Sequence, residues 1–159
     1  MIILGIDPGV ALLGWGIIKK NDEPELLAYG CIETKKGEKQ EDRLFKIYNE
    51  FRELLKKHKP EVVCMENLFF NTNAKTALLV GEARGVMKIC TVLANLPLVE
   101  FTPLQIKGAV TGYGRADKRQ VQEMVKTLLG LPEIIKPDDA ADAVATALTY
   151  CYYNRDLES

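Results

Sequence analysis

From Pro137 to Tyr150 the chain reads PDDAADAVATALTY, and no charged residue follows Asp142 until Arg155. A helix through this stretch is apolar over most of its surface. Ala141, Val144, Ala145 and Leu148 recur at helical spacing, and Ala140, Ala143 and Ala147 keep the flanks small. Such a helix is mostly buried, yet three carboxylates, Asp138, Asp139 and Asp142, stand at its head. Asp139 and Asp142 are three residues apart, on the same side of the helix, so they can share one target. Pro137 suits a helix edge, and capping together with the positive end of the macrodipole accounts for one acid such as Asp138. Three are harder to explain, because like charges repel and Asp142 is already a turn inside. On this stretch alone, capping and a metal site are both open.

The 159 residues suit one domain, 1–159, large enough to bury a core without disulfides or a structural metal, with 151–159 as a short tail. The hydrophobic fraction of 47% and charged fraction of 27% are those of an ordinary soluble domain. The N-terminus opens on an apolar strand-like run without signal-peptide features, and no apolar run reaches membrane-spanning length, so the expected location is cytoplasmic. Cys31, Cys64, Cys90 and Cys151 are widely spaced, which argues against a zinc ribbon or redox motif and for reduced packing residues. His58, the one histidine, follows Lys56 and Lys57 and reads as a solvated cation at a helix C-terminus. Histidine triads and histidine-rich zinc sites are therefore set aside, and carboxylates lead the candidates for any catalysis.

Net charge is −1, but it is unevenly spread. Residues 67 to 126 hold eight Lys/Arg against four Asp/Glu, net +4, and residues 127 to 159 hold two against six, net −4. A solvated basic face accounts for such an asymmetry, and so does an acidic cluster in a positively flanked cleft, which a phosphodiester enzyme requires.

MIILGID, LGWGIIKK and LLAYGCIETK read as three antiparallel strands. An amphipathic helix is expected from about Lys39 to His58, a strand at EVVCME, a helix over Ala74 to Asn95 and a last strand at LVEF. A short helix near Pro103 to Val110, a glycine-rich turn TGYGRAD, a helix from about Lys118 to Leu129 and the acidic-headed helix complete the chain. The order βββαβαβα describes an α/β fold with a mixed five-stranded sheet and helices on both faces. Ala77, Gly81 and Gly85 give the second helix a narrow contact surface, for packing within the chain or against a second copy, and Trp15 between two glycines reads as packing.

Asp7 ends the first strand before Pro-Gly and would serve in isolation as a turn former. Glu66 ends the fourth strand in the same way, where functional groups of α/β sheets concentrate. If those strands are neighbours, Asp7 and Glu66 meet, and the head of the last helix adds Asp139 and Asp142. Carboxylates gathered like this repel unless cations lie between them. Magnesium suits all-oxygen ligands, and two ions about 3.5–4 Å apart can clamp the water and the leaving oxygen of an in-line phosphodiester displacement.

GIDPG followed by GWG, then ENLFF, GEARGV, FTPLQIKGAVTGYGRADKRQV and DDAADAVATAL together resemble the RuvC family of crossover junction endodeoxyribonucleases, of the ribonuclease H-like superfamily. The likeness runs in order from Ile3 to about Tyr150. It implies a homodimer that binds four-way Holliday junctions and, with Mg²⁺ (two ions per subunit, with Mn²⁺ as a substitute), nicks two opposing strands symmetrically to leave ligatable ends. It also implies work with a branch-migration helicase complex, RuvA and RuvB. Asp7, Glu66, Asp139 and Asp142 fall on the family's acidic positions, Lys107 and Lys118 on its basic positions beside the scissile phosphate, and Phe69 on an aromatic that contacts bases at the opened crossover. Phe70, Asn73, Lys75, Arg84, Arg115 and Arg119 are further candidate DNA contacts. Many relatives carry His where this chain has Asp139, which leaves open direct metal binding or a part in proton transfer.

Bland readings stand beside these. Lys107 and the pair Lys118-Arg119 could be solvated, although cations at a helix start oppose the macrodipole and invite an anionic partner. Phe69-Phe70 would ordinarily be core, but an aromatic in a basic loop can stack on an unpaired base. Sugar kinase, actin and chaperone ATPases share the opening strand and Asp-x-Gly, but Val10-Ala11 replaces their phosphate-holding hydroxyls and 159 residues cannot supply both halves. The other rivals are a ribonuclease H-like nuclease for RNA-DNA hybrids or branched DNA and a silent junction-binding module, which four intact acids disfavour.

Overall fold

The computed structural model describes residues 1–67 and 73–153. Three strands open the chain: β1 (Ile2–Asp7), β2 (Leu12–Lys19) and β3 (Glu25–Glu33). Helix α1 (Gln40–His58) leads to β4 (Val62–Glu66), α2 (Ala74–Leu93) and β5 (Leu98–Phe101). Helices α3 (Pro103–Thr111), α4 (Lys118–Leu128) and α5 (Asp138–Tyr153) follow. The strands form one sheet in the order β3-β2-β1-β4-β5. The first three strands pair antiparallel, and β1–β4 and β4–β5 pair parallel.

Strand alternation divides the core into two layers. Leu4, Ile6, Leu13, Ile17, Val63 and Met65 face α1 and α2, packing with Ile47, Phe51, Ala83 and Met87. Ile3, Ile18, Val62, Cys64 and Phe101 face α3, α4 and α5. The expected α/β class, element order and helices on both faces are what the structure shows.

Helix α5 lies in a trough floored by glycine. A Cβ at Gly5 would come within 2.0 Å of the Ala143 carbonyl oxygen, one at Gly14 within 2.0 Å of the Asp139 carbonyl oxygen, and one at Gly16 within 2.4 Å of Val144 Cγ2. No larger residue fits at these positions without lifting the helix. The small faces of Ala140, Ala143 and Ala147, all fully buried, complete the close approach. From Asp138 to Tyr150, only Asp138 is exposed and only Asp139, Asp142 and Tyr150 are partly open.

Several local expectations are revised. The C-terminal tail does not begin at 151: α5 continues to Tyr153, and Cys151 is fully buried. His58 is not a solvated cation. Its ring packs at 5.5 Å from Trp15, its Nε2 is buried without a hydrogen-bond partner, and burial, helped by Lys57, holds its pKa below the usual value. Asp138 spends its carboxylate on α4, accepting from Gln122 Nε2 at 3.1 Å and lying 3.3 Å from Lys118 Nζ. Ala77 is buried, whereas Gly81 and Gly85 face open space, so among the described residues the two glycines serve no helix packing.

Gly5→Ala places a methyl group on the α5 backbone rather than on a flexible side chain. The expected cost is about 3 kcal/mol or more, or failure to fold. Urea unfolding followed by circular dichroism reads it, and a variant within about 1 kcal/mol of wild type would show that the trough tolerates a side chain.

Candidate active site

The carboxyl ends of β1 and β4 carry Asp7 and Glu66, and the parallel ladder between these strands runs to Ile6↔Met65, one residue short of both acids. Asp7 is paired in register with Gly14, the glycine that lies against the Asp139 backbone. The glycine trough thus sets the first turn of α5 directly beside the end of β1, and Asp139 and Asp142 arrive with it. In chain order these residues are about 130 apart. Backbone packing alone makes them neighbours.

Electrostatics show how tightly the group is coupled. Burial first, then the charges of Asp142, Glu66 and Asp139, push the Asp7 carboxyl up to about 8. Glu66 is raised by burial and by Asp142, against the opposing charges of Lys107, Arg84 and Lys118. Asp142 is likewise raised by burial, with Lys118 pulling the other way. Desolvated carboxylates that repel one another are a donor set suited to a hard divalent cation. Asp7, Glu66, Asp139 and Asp142 fit that role by chemistry. Among the described residues, no three such side chains are already gathered as a ready-made ligand cage. Asp142 is instead engaged by the Lys118 ammonium at 3.1 Å.

The two lysines come from helices with fixed starts. Thr102 and Gln105 form a capping box at α3, and Asp117 and Gln120 form another at α4. Lys107 and Lys118 then line a cleft of about 220 Å³ together with Glu66, Asp142, Pro103, Ile106, Val121 and Ala145. The anionic partner that a cation at the start of α4 invites is the pair Asp138 and Asp142. Lys118 is exposed but ion-paired to both acids, and Lys107 is half-buried on the cleft wall.

The remaining candidates separate. Arg115 and Arg119 are exposed around the start of α4, and Lys75 is exposed at the start of α2. Asn73 is exposed and caps α2, accepting from the Lys75 N–H at 3.0 Å. Phe69 and Phe70 lie outside the described residues. Arg84 is 7% exposed, and its guanidinium donates to the Glu66 carbonyl oxygen and to Glu100 Oε1, so it faces into the protein and not toward DNA. Sequence reasoning missed Glu100 altogether; an acid on a short apolar strand gives no sign of its partner. Cys31 reads in the sequence only as packing, yet it pairs in register with Gly14 and its thiol is pushed up to about 11 by burial and then by Asp139, Glu33 and Asp7.

The raised Asp7 carboxyl makes a stability prediction for the metal-free protein. The unfolded chain loses this proton near 3.8 and the folded chain near 8, so the folded state holds an extra proton between those values. Stability from this group is therefore greatest below about pH 4 and falls as pH rises toward about 8. Asp7→Asn is expected to match wild type near pH 4 and to exceed it by a few kcal/mol near pH 8, measured by urea unfolding in EDTA. Parallel pH profiles for the two proteins would mean that Asp7 carries no buried charge.

Comparison with known proteins accords with this geometry. The family model for crossover junction endodeoxyribonuclease RuvC matches residues 3–150. A relative from Caldanaerobacter subterraneus subsp. tengcongensis that bears this name is 47% identical over 99% of this chain and 96% of its own length. Another, from Finegoldia magna, is 52% identical over 96% of this chain and 93% of its own length. Among solved structures, Thermus thermophilus RuvC superimposes with a TM-score of 0.91 at 34% identity, covering 98% of this chain and 96% of that one. The same protein in complex with a Holliday junction substrate gives 0.90 at 32% identity, with the same coverage of both chains. A yeast mitochondrial Holliday junction resolvase shares the fold, with a TM-score of 0.72 at 18% identity over 98% of this chain and 80% of its own. With matches that span nearly the whole of both partners and a fold that superimposes throughout, this chain belongs to the family of RuvC crossover junction endodeoxyribonucleases.

Proposed function

We propose that the protein resolves four-way DNA junctions by metal-dependent hydrolysis of one phosphodiester in each of two opposing strands. The observation that carries this reading is the closeness of Asp7, Glu66, Asp139 and Asp142 at one end of the sheet, with Lys107 and Lys118 lining a cleft together with Glu66 and Asp142. The substrate class follows from family membership and from the junction-bound relative of matching fold.

Divalent ions, Mg²⁺ with Mn²⁺ as a substitute and two per subunit, would supply Lewis-acid stabilisation of the phosphoryl group and help orient the attacking water. Asp7 and Glu66 hold the floor of the site from two adjacent strand ends, and Asp142 and Asp139 hold its wall from α5. A bound cation would compete with the proton of Asp7 and with Lys118 for Asp142, and an ammonium released from Asp142 would have a new anion to meet in a phosphate entering the cleft. Lys107 and Lys118 become useful as negative charge builds on the phosphoryl oxygens. As the water oxygen bonds to phosphorus, the bond to the leaving sugar oxygen breaks, and ligatable ends remain. Asp139 is partly open, and its charge is felt at Asp7, which supports a part in sharing an ion or in taking the proton of the water.

Resolution of a two-fold junction needs two such sites facing it, hence a symmetric dimer. Helix α2 offers the contact. Leu78, Ile89, Val92 and Leu93 are 58–66% exposed, and with Gly81 and Gly85, which face open space, they make one apolar stripe along the helix. RuvA and RuvB are the branch-migration partners this reading implies. No helix among the described residues is long and apolar enough to cross a membrane, and a cytoplasmic setting fits a DNA-processing enzyme.

A gel assay with a synthetic four-way junction, a linear duplex and an RNA-DNA hybrid, each with and without Mg²⁺, tests the activity. Cleavage of the junction alone, and only with metal, is expected; preference for the hybrid would overturn the proposed substrate. Asp7→Asn, Glu66→Gln and Asp142→Asn should each slow cleavage by about a thousandfold or more while leaving junction binding intact. Activity within about tenfold of wild type would remove that residue from the metal site. Sedimentation should give a dimer for wild type and a monomer for Val92→Asp, and a wild-type monomer both free and on junction DNA would defeat the two-fold arrangement.

A further inference from the structure

Asp7 and Glu66 each have one cross-strand partner: Asp7 pairs with Gly14 of β2, and Glu66 with Phe101, the last residue of the four-residue edge strand β5. The Asn67 N–H extends that ladder by one bond, to the Phe101 carbonyl at 2.7 Å. On the other side, the Glu66 carbonyl receives Arg84 Nη1 from α2. The second guanidinium arm, Nη2, is held by Glu100 Oε1 on β5, and Lys88, one turn further along α2, lies 3.1 Å from the same oxygen. A buried guanidinium is retained only when it is paired, and here one pairing runs to the end of β4, which carries Glu66, and the other to β5, its neighbour in the sheet. Its planar fork bridges the two strands, which a single ammonium cannot do.

We propose that Arg84 is a positioning residue for Glu66: by bridging the Glu66 carbonyl and Glu100, it fixes the backbone from which the Glu66 carboxylate reaches the metal site. This rests on the reading of Glu66 as a metal-holding acid. It replaces a DNA contact by Arg84 with a structural one, and it brings in Glu100 and Lys88, which sequence alone did not mark. An acid held loosely at a strand end would still bind metal, but with weaker affinity and poorer geometry, because catalytic constellations need their supporting residues to fix them within a fraction of an ångström.

The test uses the full chain with Arg84→Gln, Glu100→Gln, the double variant and Glu66→Gln. Arg84→Gln is expected to slow single-turnover cleavage of saturating junction by about tenfold or more, to raise the half-saturating Mg²⁺ concentration several-fold, and to weaken Mn²⁺ binding to the free protein in calorimetry. Its junction affinity without metal should stay within about twofold. Glu100→Gln should shift the same three readings in the same direction but less, and the double variant should be no slower than Arg84→Gln, since both changes act through one bridge. Unchanged Mn²⁺ affinity and rate in Arg84→Gln overturn the proposal. So does a loss of junction affinity with a salt slope smaller by about one and a normal saturated rate, which would mark a phosphate contact. If Arg84→Gln does not fold, Glu100→Gln decides, and wild-type metal binding and rate in that variant count against the bridge. Cleavage surviving in Glu66→Gln would sink the site reading itself, whereas its loss beside normal cleavage in Arg84→Gln sinks only the role of Arg84.

Discussion

Everything at the active site depends on how closely α5 can approach the sheet. Gly5, Gly14 and Gly16 leave no side chains between strand and helix, so the α5 backbone rests on the strand backbones. The alanines of α5 complete the fit from the other side. Separations this short bring the head of the helix to the end of β1, and the acids borne by the two elements enter each other's fields. One side chain in the trough would move Asp139 and Asp142 away from Asp7, with no acidic residue altered.

That closeness has an electrostatic cost which the fold meets in stages. Without metal, the Asp7 carboxyl retains its proton to about 8, and Lys118 partly neutralises Asp142. A divalent cation competes with a proton and with an ammonium for carboxylate oxygens. Asp7, Glu66 and Asp142 are each raised by burial and by neighbouring acids, and Lys118 is the cation that lies against Asp142.

Helix α2 serves two surfaces at once. Its inward face carries Ala83 and Met87 into the core and sends Arg84 to the strand ends that hold Glu66. Its outward stripe, Leu78, Gly81, Gly85, Ile89 and Val92, is left open. The spacing of small residues was visible in the sequence, but a helix pattern shows only that residues share a side. Ala77 was grouped with the glycines and proved buried, because adjacent stripes of a helix differ by a rotation that only packing resolves.

The sequence by itself determined the element order and the burial of the last helix, since these rest on local periodicity, and it marked the acids at the head of that apolar helix as its unusual feature. The motif order also carried the family. It could not determine which charged residues face which. His58 reads as a solvated cation from its lysine neighbours but packs on Trp15, and Arg84 reads as a DNA contact from its charge but is buried beneath Glu66. Asp138 reads as a cap but bonds to α4. Each of those outcomes is fixed by a partner distant in the chain. The glycine trough shows the same division: the glycines are plain in the sequence, but only the tertiary structure makes three of them a single surface, because the register of β1 with β2 sets Gly5 beside Gly16 and Asp7 beside Gly14. Local sequence sets what a segment prefers to be, and long-range backbone packing decides what its side chains meet.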